Sequence, residues 1–215
     1  RFNPFYIAEG DTLDTEKKES IKTLLLALWK KDDETFNRSE YVALSNALQL
    51  YFEKLDRDAA IFPCFDSFYE FLKEDFVSIL SDDKVKEKHF DMTNFLYVLR
   101  QYYKGGEFDY LLNATENLDL LKERFIVFEL DNIKDHPILF PVVTIIIMEV
   151  FISKMRKLKG IRKMILIEEA WKAIAKEGMS DYIKYLFKTV RKFFGEAIVV
   201  TQEVEDIISS PVVKQ

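Results

Sequence analysis

Two adjacent carboxylates, Glu168 and Glu169, follow the apolar stretch from Met164 to Ile167, and the chain then turns at once into helix-forming sequence. The run from Lys163 to Ile167 is apolar on both sides of the pleat, which predicts a central parallel strand covered by helices on both faces. Its carboxyl end borders the crevice where open α/β sheets take their ligands. Acids in that position suit one chemistry in particular. The first carboxylate orders the water shell of a Mg²⁺ ion that bridges phosphates, and the second polarises an attacking water. Both residues also have an ordinary use, Glu168 as a solvated strand end and Glu169 as a first-turn acid that favours the next helix through its dipole.

A second polar pair, Thr201 and Gln202, follows the apolar residues Val199 and Val200. It is expected at the same sheet edge as the acids. There the Gln202 amide would touch a terminal phosphate and the attacking water, sensing whether that phosphate is present; a satisfied strand-end amide is the other use. Arg191 and Lys192 stand just before Gly195. Cations near a helix carboxyl end complement its dipole, and glycine is a natural stop. The alternative is an arginine supplied to the phosphates of a neighbouring subunit.

Other chemistry is excluded more firmly. His89 and His136 lie in polar, turn-like settings without metal-ligand spacing, and both are expected at the surface. Cys64 is the sole cysteine, so neither an internal disulfide nor a cysteine-based zinc site exists. No GxSxG elbow occurs. Nor does GxxxxGK[ST], so the sequence holds no phosphate cradle of that kind.

With 215 residues and 48% apolar content the chain suffices for a real core. A net charge of −6 with mixed signs argues against a surface that coats nucleic acid, and no specific nucleic-acid reading emerges. The most apolar stretch, Ile138 to Ile152, is interrupted by Pro141 and Glu149 and is too short to cross a bilayer. The opening RFNPFYI and the closing residues from Pro211 to Gln215 suggest a piece cut at both ends.

Two textures divide the sequence. Residues up to about Glu9 read as extended, and an all-α region is expected from Asp14 to Leu121. Ile21, Leu24, Leu25 and Leu28 recur at helical spacing, as do Val42, Ala43, Ala47, Leu48, Tyr51, Phe52 and Leu55. Ser67 and Glu70 are expected to form a capping box before Phe68, Phe71, Leu72 and Phe76. A fourth helix is expected from Phe95 to Tyr103, ending at Gly105 and Gly106. After Leu121 the order becomes strand (Phe125 to Leu130), helix (Pro141 to Leu158), strand (Met164 to Ile167), helix (Ser180 to Phe194) and strand (Ala197 to Val200). That alternation is the signature of a parallel α/β sheet.

ILIEEAW, followed about thirty positions later by VRKFFGEAIVVTQ and preceded by a helical region and an NPF segment, resembles the carboxyl-terminal part of the motor ATPases of conjugative type IV secretion. The TraG-like ATPases of conjugative transposons look most similar. The resemblance implies a fold class of α/β type, a partial RecA-like P-loop NTPase parallel sheet with an all-α inserted subdomain. Residues 1–13 would be an edge segment of the RecA-like core, 14–121 the helical subdomain, and 122–215 the Walker B half. Glu168 and Glu169 match the Walker B pair, with Glu168 one methylene longer than the family's usual aspartate. Arg191, Lys192 and Gly195 match the RK…G element, and Gln202 the TQ glutamine.

ATP and Mg²⁺ are the implied ligands, both requiring a P-loop expected upstream of Arg1. The implied setting is a homo-oligomeric ring that meets other secretion-system proteins at the cytoplasmic face of the inner membrane, without a membrane span of its own. There it would power pilus assembly or substrate transfer. A non-catalytic module that docks secretion-channel components through its helices is the alternative.

Overall fold

The computed structural model describes residues 2–7, 13, 15–30, 36–117, 120, 122–168 and 187–201. The chain forms two compact units, Arg1–Leu118 and Asp119–Gln215.

The first unit is helical. α1 (Thr15–Trp29) buries Ile21, Leu24, Leu25 and Leu28, the stripe its spacing predicts. α2 (Arg38–Arg57) starts at Asn37, whose side chain accepts from the Glu40 amide at 2.9 Å while Glu40 Oε2 accepts from the Asn37 amide at 2.8 Å. Its buried stripe includes Leu44 and leaves out Val42, which is exposed. α3 (Phe65–Phe71) runs through a π-helical turn (Leu72–Phe76) into α4 (Val77–Asp82). α5 (Met92–Leu99) tightens into a 3₁₀ turn, Arg100–Tyr102.

Two expected helix starts move. α3 begins before the predicted Ser67 cap, at Cys64, and Ser67 occupies the third position, where its hydroxyl accepts from the Cys64 amide at 3.2 Å. Glu70 is therefore free of capping and accepts from the Tyr103 hydroxyl at 2.9 Å. α5 starts at Met92 because Asp91 caps it, accepting from the Asn94 amide at 2.8 Å.

Aromatic rings fill this unit. Phe5 meets Tyr51 edge-on at 5.4 Å between centroids, and Trp29, Phe90 and Phe95 close a second group at 4.9–5.4 Å. Phe5 belongs to the opening NPF segment, so the described residues 2–7 have their buried contacts among the helices. Asn3, fully buried, donates to the carbonyls of Pro63 (2.8 Å) and Ala114 (2.9 Å) and accepts from the Phe5 amide (3.0 Å). Asn117 closes the loop by donating to the Asn3 carbonyl at 2.9 Å.

In the second unit α6 (Leu139–Lys157) covers a parallel pair, β1 (Lys163–Glu168) and β2 (Gly195–Val200). His136 is half-buried, where a surface position was expected; its Nδ1 accepts from the amides of Ile138 (3.3 Å) and Leu139 (3.2 Å) at the start of α6. Phe140, Met148, Ile152 and Met155 of α6 form the core with Val190, and Ile165, Ile167, Ala197 and Val199 pack on it.

No described element packs on the opposite sheet face. Met164, Leu166, Ile198 and Val200 are exposed, so the expected burial on both faces holds for one face only. Phe125 to Leu130, expected as a buried strand, belongs to no sheet among the described residues. Phe125 and Val127 are 86% and 68% exposed, and only Leu130 packs on the core. Strand-forming composition is realised only beside another strand's backbone, and the described residues offer none there.

Candidate functional site

The register of the two strands organises the candidate residues. Lys163 pairs with Gly195 and Glu168 with Val200, so both strands end together at one carboxyl edge. Glu168 is the last residue of β1 and is exposed, on the same face as Met164 and Leu166. Thr201, half-buried, follows Val200 directly. Glu169 and Gln202 lie outside the described residues; in sequence they stand one position after Glu168 and two after Val200.

Arg191 and Lys192 sit elsewhere. Residues 187–190 are helical, the 3₁₀ turn Arg191–Phe193 follows, and β2 starts at Gly195. Both cations are exposed at the amino edge of the sheet. Five strand steps separate that edge from Glu168, about 16 Å of strand. The structure therefore does not bring Arg191 or Lys192 to Glu168 of their own chain.

Lys163 was missed by sequence reasoning. Its ammonium donates to the carbonyls of Phe193 (2.9 Å) and Met155 (3.1 Å), and its amide to the Phe194 carbonyl (3.1 Å). Burial in this corner lowers its pKa from the ordinary value. Its partners lie 8 and 30 residues away, so no local pattern marks it. Phe194 itself stands in the left-handed region, φ 54° and ψ 37°, and is 66% exposed.

Among the described residues no group of three or more His, Cys, Asp or Glu side chains forms a metal cage. Mg²⁺ needs none, since it keeps most of its waters and binds through one or two carboxylates and substrate phosphates. An exposed strand-end Glu168 fits that requirement. No described element fits as the cradle for a triphosphate, in keeping with the missing GxxxxGK[ST].

A parallel α/β unit with an acid at its carboxyl edge, joined in one chain to an all-α unit, places the protein in the class of mixed α/β proteins. The chain belongs to the TraG P-loop domain family, whose family model matches residues 1–215. A solved structure, VirB4 of Thermoanaerobacter pseudethanolicus, is similar with a TM-score of 0.64 over 100% of this chain and 73% of that one. At 15% identity this likeness speaks for the fold alone. No curated protein sequence matches.

Family membership carries a secretion-ATPase role in general terms, with nucleotide and Mg²⁺ as the ligands of such domains. The family is named for its P-loop and is matched over the whole chain. That name runs against the expectation that this stretch is the part of the enzyme without one. Among the described residues no helix is long and apolar enough to cross a membrane.

Proposed function

We propose that the second unit is the Walker B part of a motor ATPase that powers conjugative transfer or pilus assembly, working as a homo-oligomeric ring at the cytoplasmic face of the inner membrane. The observation that supports it best is the strand register, which pairs Glu168 with Val200 and so ends both strands at one edge. Glu169 would polarise the attacking water and Gln202 would contact the terminal phosphate. Glu168 would order the waters of Mg²⁺, an ion that neutralises phosphate charge when bound.

Arg191 and Lys192 act, in this proposal, on a neighbour's nucleotide. Their position at the opposite sheet edge supports that assignment, because a cation near the amino edge cannot serve phosphates at the carboxyl edge of the same chain. The helical unit, which we read as the inserted subdomain expected at 14–121, would meet other secretion components.

ATP hydrolysis by the full-length protein tests the catalytic role. Glu169→Gln removes the carboxylate but keeps an amide of similar shape, so turnover is expected to fall by orders of magnitude while nucleotide still binds. Near-normal turnover would leave the docking role as the better account.

A further inference from the structure

We propose that Lys163 is a positioning residue: it fixes the turn that presents Arg191 and Lys192 to a neighbouring subunit. The inference rests on the trans role proposed above and adds a residue that the motif itself does not contain.

The geometry is that of a staple. One ammonium holds two helix ends at once, the Met155 carbonyl in the last turn of α6 at 3.1 Å and the Phe193 carbonyl at the end of the Arg191–Phe193 turn at 2.9 Å. Carbonyls at helix ends lack intrahelical donors and carry partial negative charge, which is what an ammonium satisfies. The Lys163 amide holds the next carbonyl, that of Phe194, at 3.1 Å. Lys163 thus grips two consecutive peptide groups of the turn, one through its side chain and one through its backbone.

What it grips is unusual backbone. Phe194 is not glycine, yet it sits at φ 54° with its ring mostly in solvent, so ring burial does not hold it there. Such a conformation persists where the surroundings over-determine it. Here the surroundings are Lys163 on one side and the close contact of Gly195 with Val190 and Met155 on the other. The turn already carries two cations, and a third nearby adds repulsion. Lys163 is accounted for by the carbonyls it binds, and one of them, that of Phe193, closes the turn that Arg191 opens. Placement matters because a shift of about 1 Å in a group that stabilises transferring phosphate costs up to about a hundredfold in rate.

The test uses the full-length protein with Lys163→Met, which keeps the stem and removes the donors, and Lys163→Arg, which restores donors for two carbonyls. The expected result for Lys163→Met is a fall in kcat of about ten- to a hundredfold with KM for MgATP unchanged. Hydrogen exchange should quicken at the amides of 191–195, and Lys163→Arg should recover most of the rate. An unchanged kcat in Lys163→Met beside an inactive Arg191→Ala overturns the role of Lys163 and leaves the trans arginine standing. Full activity of Arg191→Ala overturns the trans role, and the positioning role falls with it. If Lys163→Met does not fold, Lys163→Gln is assayed in the same way, and wild-type kcat there overturns the proposal.

Discussion

Gly195 opens β2 against Met155 of α6, so closely that a Cβ on Gly195 would stand 3.1 Å from the methionine Sδ and 3.0 Å from the Val190 carbonyl oxygen. Its backbone is ordinary; the lack of a side chain is what the packing requires. Gly195→Ala is expected to destabilise the second unit by about 1–3 kcal/mol, the cost of overpacking a filled core. Urea denaturation of the variant measures it, and a loss below about 0.5 kcal/mol would show that Met155 moves aside freely.

Asn3 ties the opening segment to the end of the helical unit. Asn3→Ala leaves the buried carbonyl of Ala114 and the amide of Phe5 without these bonds. Each unsatisfied group costs about 1–3 kcal/mol, so a loss of roughly 3 kcal/mol is expected. Asn117→Ala, at a less buried site, should cost less. Equal, small effects from both in thermal unfolding would contradict the clasp.

Acid should weaken the α1–α2 contact through Glu19. Burial opposes its charge, but hydrogen bonds from Lys22 (2.5 Å) and the Tyr41 hydroxyl (2.6 Å), with the Lys22 charge, hold its pKa below the ordinary 4.5. A folded-state pKa below the unfolded one means that the unfolded chain binds more protons in between. The contribution is therefore complete above pH 4.5 and is lost as pH falls through the lowered value. Glu19→Gln should flatten this part of the stability profile, and an unaltered acid limb would refute the assignment.

Arg191 provides a test by mixing. Arg191→Ala and Glu169→Gln rings are each expected to be inactive, while a mixture recovers part of the activity because some interfaces pair an intact Glu169 with an intact Arg191 from the next subunit. Thermal stability of Arg191→Ala should drop by no more than about 1 kcal/mol, the scale of a helix-end charge. Mixed rings that assemble without recovering activity would count against the trans role.

Legibility followed the range of the interactions. The buried stripe of α1 was readable because its period is carried by neighbours three and four residues apart, and β1 and β2 because both are short apolar runs with abrupt ends. Helix starts were less so. Asn37 and Glu40 form a capping box that the spacing already displays, whereas Ser67 and Glu70 show the same spacing and make none, since Cys64 lies one turn earlier and the helix begins there. A local pattern names candidates for a cap, and the path of the preceding chain selects among them.

By itself, then, the sequence determined what is local and covalent: the apolar stripes of α1 and α2, where two strands run, that two adjacent acids stand at the end of one strand and two cations precede the other, and that GxxxxGK[ST] is absent. Only the tertiary structure decided the rest. It placed Glu168 beside Val200 and the Arg191 turn at the far edge, exposed Met164, Leu166, Ile198 and Val200 on one sheet face, kept the stretch from Phe125 to Leu130 out of the sheet among the described residues, and gave Lys163 its two carbonyls. The physical reason is that strand pairing and burial are choices among distant partners of similar chemistry. Side-chain types restrict that choice without making it, and the packing of α6 against the two strands makes it.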